Sequence, residues 1–186
     1  MSPSAPPSID VLDVLSPGIF AAAVSPLFEG APRFLGRLAM ARPFGTLDEF
    51  YAGARRIAHA MPVTEQLELI DAHPRLGAPP ASMSALSFVE QGYAPEDAAR
   101  EAHAAEVDRG RIAAELDELN QAYEGRFGFR YCVFVAGRSR AELLPDFRAA
   151  LSADRDAEIR RAIDAVIDIA RDRHARLTEG TAEAGR

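Results

Sequence analysis

The stretch TLDEFYAGARRIAHA, Thr46–Ala60, opens with a threonine three residues before Glu49. In that arrangement the threonine side chain caps a helix and the glutamate reaches back to it. Leu47, Phe50, Tyr51, Ala54, Ile57 and Ala58 then recur at steps of three and four, so one face of the helix is apolar. The same period continues outward. Thr64 precedes Leu67 and Ile70 and is expected to cap a second helix, which Pro74 ends just after His73. Ile112, Leu116, Leu119 and Tyr123 form another stripe, and Leu143, Leu144, Phe147 and Leu151 a further one. Ile159, Ile163, Val166, Ile167, Ala170 and Leu177 mark the buried side of a long last helix. Tyr131–Val135 reads as a short strand or a buried extended segment, which periodicity does not separate over so few residues. One isolated strand makes no sheet, so the fold class is all-α.

The expected organisation is a single compact multi-helix domain over residues 17–177 between two flexible segments. Residues 1–16 are rich in Pro and Ser, with Val11, Leu12, Val14 and Leu15 as a short docking turn; residues 178–186 are small and polar. The 186 residues, 48% hydrophobic and 26% charged, supply one ordinary core. The formal charge of -7 excludes the cationic footprint that nucleic-acid binding needs. All 21 basic residues are arginine. Without lysine there is no Schiff base to a carbonyl, no pyridoxal phosphate linkage and no Walker-type lysine. Cys132 is the only cysteine, which excludes an internal disulfide and a thiolate zinc cluster, and beside Tyr131 and Val133 it reads as a small buried hydrophobe. No basic leader and no apolar run of membrane-spanning length is present, so the expected location is cytoplasmic, with no membrane partner.

Four histidines are candidates for chemistry. His59, His103 and His174 lie in helical stretches, where imidazole serves as an amphipathic filler. His103 and Glu106, three apart, have no second such pair to complete a metal site, and none is expected. His73 stands in AHPRLGAPP, between a helix and a turn-rich loop of Gly77, Pro79 and Pro80, where rigid neighbours display a side chain. In Ser87-Phe-Val-Glu90-Gln91, serine three residues before glutamate is an ordinary helix cap. A glutamate near a histidine also sets the imidazole tautomer and raises its basicity, which makes an acid/base unit.

AHPRLG, SFVEQ and LNQAYEGRFGF, in this order, resemble the motifs of the 2-oxo-4-hydroxy-4-carboxy-5-ureidoimidazoline (OHCU) decarboxylases. PLFEGAP around Glu29 and Arg42-Pro43-Phe44 precede them, and the likeness runs from about Phe20 to Leu177. The resemblance implies an all-helical homodimer with no metal or organic cofactor. It implies decarboxylation of the ureidoimidazoline formed in urate oxidation, followed by protonation to (S)-allantoin. His73 is then the acid/base and Glu90 its assistant, while Ser87 and Gln91 bind the ligand and Pro74 shapes the wall. Ala136 and Gly137 fall on the turn where many members carry an arginine before the glycine, so Arg138 or Arg130 is left to meet the substrate carboxylate. The stretch between Gln91 and Asn120 is longer than in the family pattern and lacks its Gly-Ala-Gly-Leu step. Two alternatives stay open: a related cofactor-free enzyme acting on a different ureido or imidazoline compound, and a non-catalytic helical module binding a partner through Arg138 and Arg140.

Overall fold

The helical periods resolve into nine α-helices in a computed structural model that describes residues 6–92 and 106–184, and no strand occurs among them. The chain divides into two units, one made of residues up to His73 and from Ile159 onward, the other of Pro74–Glu158. In the first lie α1 (Ile9–Val14), α2 (Pro17–Val24), α3 (Pro32–Met40), α4 (Leu47–Ala60) and α5 (Val63–Asp71). The second holds α6 (Ala85–Glu90), α7 (Glu106–Phe127) and α8 (Arg140–Ala150). Helix α9 (Arg155–Ala184) begins in the second and continues in the first.

In the first unit Thr46 caps α4 as predicted, its hydroxyl accepting from the Glu49 amide at 3.1 Å. The apolar face of α4 puts Phe50, Tyr51, Ala54 and Ala58 in the core, with Phe20 of α2 and Ile163, Val166 and Ala170 of α9. Phe50 meets Phe20 and Phe44 edge-on, a preferred arrangement of two ring quadrupoles. The Tyr51 hydroxyl donates to the Ala170 carbonyl at 3.1 Å and meets His174 Nδ1 at 3.0 Å. His59 Nε2 lies 2.8 Å from Asp164, which Arg55 also engages. Both histidines therefore act as structural partners of neighbouring side chains.

The second unit is centred on Tyr123. Its ring contacts Phe127, Phe129, Tyr131 and Phe147, and its hydroxyl donates to Glu158 at 2.8 Å. Burying an aromatic side chain of this kind contributes about 2–3 kcal/mol.

Three elements differ from the sequence reading, and a fourth, Tyr131–Val135, loses one of its two open readings, the strand. Thr64 lies inside the first turn of α5, and Pro62 takes the capping position; a proline there gives up no helical N–H. Tyr131–Val135 forms no strand and runs as irregular backbone with Tyr131 and Cys132 buried. The predicted N-terminal docking turn is helix α1, with Leu12 buried. Arg42 donates to the Leu12 and Leu15 carbonyls, and Asp13 accepts from the amides of Phe44 and Gly45, so the Arg42-Pro43-Phe44 motif fastens α1. Helix α9 continues to Ala184, through the first residues of the expected tail, because extending a formed helix costs far less than nucleating one. His103, and with it the His103–Glu106 pair, lies outside the described residues.

Candidate active site

In the first unit, His73 follows α5 in a turn that leaves it 3% exposed. Its backbone amide donates to the Ile70 carbonyl, and ring Nδ1 lies 3.3 Å from the Leu69 carbonyl. A carbonyl only accepts, so Nδ1 carries the proton and Nε2 is left as the basic nitrogen of the neutral ring. Burial, and after it the charge of Arg173, lower the His73 pKa to about 4, against the opposing pull of Glu29 and the Leu69 carbonyl. The imidazole is therefore neutral at pH 7.

Arg173, on α9, is 1% exposed. Its Nη2 pairs with Glu29 at 2.9 Å, and its Nη1 donates to the Pro26 and Leu27 carbonyls at 3.2 and 3.3 Å. The PLFEGAP stretch makes this cradle. Ser25–Phe28 forms a tight 3-10 turn, Glu29 takes a left-handed conformation with φ 52°, and Pro32 starts α3. The turn thus presents two carbonyls and a carboxylate to one guanidinium, which is how a buried cation is tolerated. Sequence reasoning quoted Glu29 but missed Arg173. The signal was available: Val166, Ala170 and Arg173 continue one helical stripe, and a charge in an apolar stripe demands a partner.

The second unit begins with the loop Pro74–Gly77, held by side chains from two elements. Gln91 accepts from the Gly77 amide at 2.7 Å and donates to the Arg75 carbonyl at 3.0 Å. On α7, Asn120 donates to the Leu76 carbonyl at 3.0 Å, while Glu124 pairs with Arg75. Gly77 has φ +80°, and a Cβ there would stand 3.0 Å from a Leu116 methyl, so only glycine lets the loop lie this close to α7. A cavity of about 370 Å³ opens beside the loop, with Pro74, Asn120 and Arg130 on its wall.

Ser87 and Gln91, four residues apart, are both buried, with half-buried Glu90 ending α6. The cap of α6 is Ser84, whose hydroxyl accepts from the Ser87 amide at 3.1 Å, so Ser87 is an interior residue of the helix rather than its cap. Arg140 donates to the Gln91 carbonyl at 2.9 Å. Ala136 (φ 51°) and Gly137 (φ 74°) form a tight turn closed by the Arg138 amide on the Val135 carbonyl at 3.0 Å. The Arg138 guanidinium pairs with Asp146 at 2.8 Å and donates to the Phe134 and Val135 carbonyls. Among the described residues no three His, Cys, Asp or Glu side chains group as metal ligands, and no helix is long and apolar enough to cross a membrane.

The motif order, carried by a buried neutral histidine and the Gln91-braced loop that follows it, agrees with comparison to known proteins. The OHCU decarboxylase family model matches residues 13–175. The chain belongs to the OHCU decarboxylase family. It is thereby a carboxy-lyase in class. It is 28% identical over 151 residues to the 2-oxo-4-hydroxy-4-carboxy-5-ureidoimidazoline decarboxylase of Haloferax volcanii, covering 81% of this chain and 84% of that protein. It is 30% identical over 153 residues to the uric acid degradation bifunctional protein PucL of Bacillus subtilis. That match covers 80% of this chain but only 28% of the relative's length. Among solved structures, an OHCU decarboxylase crystallised in the presence of (S)-allantoin superposes with a TM-score of 0.59 at 25% identity, over 82% of this chain and 94% of that one. An (S)-allantoin synthase shares the fold, with a TM-score of 0.65 at 17% identity over 92% of this chain and 54% of that chain.

Proposed function

We propose that this chain decarboxylates 2-oxo-4-hydroxy-4-carboxy-5-ureidoimidazoline to (S)-allantoin in urate degradation, without a cofactor, with His73 as acid/base and Glu90 assisting it. The observation that carries the reading is His73 itself. It occupies the family's His-Pro motif, is buried, and is held neutral with Nδ1 on a carbonyl and Nε2 as its basic nitrogen. Loss of CO2 leaves an electron pair that the substrate's own carbonyl and imine groups accept, and one proton must then reach the vacated carbon from one face. Neutral His73 is able to take up a proton and deliver it, which is the work of a general acid/base.

Ser87, on the buried face of α6, supplies a hydroxyl to the ligand, and Pro74 shapes the wall after His73. Gln91 binds indirectly, by fixing the Arg75–Gly77 backbone with both ends of its amide. Arg138 and Arg140 engage Asp146 and the Gln91 carbonyl, which favours catalysis over a module that binds a partner through these arginines. The test is circular dichroism of allantoin formation after purified protein is added to freshly generated ureidoimidazoline. Growth of an (S)-allantoin signal well above the spontaneous rate supports the reading, and a trace matching the racemic background contradicts it.

A further inference from the structure

We infer that α2 and α3 present the face through which two copies of this chain associate. The inference does not rest on the decarboxylase reading, because a molar mass tests it without turnover. Within the first unit α2 packs against α3. Phe20 and Val24 of α2 and Phe34 and Leu38 of α3 are buried in the core. The charged side of α3 is occupied as well, since Arg33 and Arg37 pair with Glu68 and Glu65 of α5. What remains is a groove of about 590 Å³ between the two helices, with Gly18, Ala21 and Ala22 on one wall and Gly36, Ala39 and Met40 on the other.

No charged residue lines this groove, and none occurs in sequence from Val14 to Phe28, in a chain that is 26% charged. Large apolar side chains stand in solvent on the same three helices: Val14 is 82% exposed, Ile19 59% and Met40 78%. A helix that faces water ordinarily carries charge there, and an exposed apolar patch marks a surface of association.

The charge pattern selects the occupant. A charged partner of either sign would lose its hydration against this face and find no opposite charge in return. A second copy brings the same uncharged face. The net charge of -7 on each copy opposes self-association, and that repulsion is least where the meeting surfaces carry no charge. Shape agrees with charge. A two-fold contact needs one patch that is its own complement, with a projection and a recess side by side. Met40, flexible and prominent, stands beside a recess lined by glycine and alanine, so the Met40 of each copy fills the groove of the other.

Area sets the strength of the contact. Helices α2 and α3 have 8 and 9 residues, about 12 and 14 Å of length. With α1 packed beside α2, the face offers roughly 500 Å² per copy and about 1,000 Å² in all, the lower bound for a specific interface. The dimer is therefore expected to form in the micromolar range rather than the nanomolar.

The experiment is light scattering on size-exclusion chromatography of the full chain, from about 1 to 200 µM so as to span that range. Wild type is compared with Gly36→Glu, Met40→Glu and Val63→Glu, each with its far-UV spectrum checked. A Cβ at Gly36 meets nothing within 4 Å, so the fold accommodates the glutamate and the groove receives its carboxylate. Wild type is expected to climb with concentration toward twice the 20.1 kDa of one chain. Gly36→Glu and Met40→Glu should weaken the dimer at least about 10-fold and stay near the mass of one chain, because each copy would bury an unpaired carboxylate. Val63→Glu, at an exposed site on α5 outside the groove, should behave as wild type. Should Gly36→Glu fail to fold, Met40→Glu carries the test at a side chain that is mostly in solvent. A wild type that stays monomeric overturns the proposal and leaves the face to a partner of another kind. A dimer that a folded groove variant leaves intact, or that Val63→Glu disrupts equally, overturns it as well.

Discussion

Replacing Glu29 by Gln removes the carboxylate paired with Arg173 in the cradle while keeping the size of the side chain. The pair is close, at 2.9 Å, and unevenly buried, the Arg173 side chain 1% exposed and that of Glu29 15%. Breaking a buried pair from one side leaves an uncompensated charge, which costs about 3–5 kcal/mol. Arg173 keeps the Pro26 and Leu27 carbonyls as acceptors, and the oxygen of the introduced amide replaces part of the lost contact, so we expect the lower end, about 3 kcal/mol. In a chain of this length that lowers Tm by roughly 6–12 °C. Urea unfolding followed by far-UV circular dichroism measures the free energy directly. Adding Arg173→Met to Glu29→Gln removes the stranded cation and should recover part of the loss, as apolar replacements of buried pairs do. NMR titration gives an independent readout: Glu29 pulls the His73 pKa up, so its removal should drive that pKa below about 4. A loss under about 1 kcal/mol, or a double variant less stable than the single one, would refute the claim that this pair is a buried, mutually dependent unit.

Three further outcomes follow from the same geometry. His73 gains a proton in the unfolded chain below pH 6.5 but in the fold only near pH 4, so its contribution is present above pH 6.5 and disappears as pH falls to about 4. The gap amounts to about 3 kcal/mol, and His73→Gln, which does not titrate, should flatten the fall in urea-measured stability between pH 7 and pH 4 by that amount. Gln91→Leu strips the partners from the Gly77 amide and the Arg75 carbonyl and should cost about 2 kcal/mol in urea unfolding, with a fall in kcat/KM as the loop loosens. Gly77→Ala forces a side chain into a left-handed backbone against Leu116 and should cost about 1–2 kcal/mol by the same assay; a neutral effect would mean that the loop does not pack on α7 as described.

The all-α class was legible because its signals are local. Thr46, Phe50, Tyr51 and Ala54 specify their helix within a few turns, and Leu143, Leu144 and Phe147 do the same for theirs. The cap of α5 was misplaced because Thr64 and Pro62 both start helices well, and local sequence does not say which residue will be the first with helical dihedrals. For the candidate site, the His-Pro and Ser-Phe-Val-Glu-Gln motifs pointed to His73 and Gln91 by order alone, and no role was read for Asn120. What those side chains do was not legible. Gln91 and Asn120 are polar residues whose partners are backbone carbonyls and an amide in a loop far from them in sequence. Arg173 was hidden among Arg171 and Arg176, since composition does not distinguish one buried guanidinium from two solvated ones; only its place in the apolar stripe of α9 does. Ser87 looked like a cap because a serine three residues before a glutamate usually is one, and Ser84 holds that position instead.

The most direct measurement of the central claim is kcat/KM of His73→Ala against wild type, with the handedness of the allantoin followed by circular dichroism. Removing a general acid/base costs roughly 10²- to 10⁴-fold. The account predicts a loss of that size together with disappearance of the (S)-allantoin excess, in a variant whose far-UV spectrum matches wild type. A variant that kept the wild-type rate and handedness would contradict it.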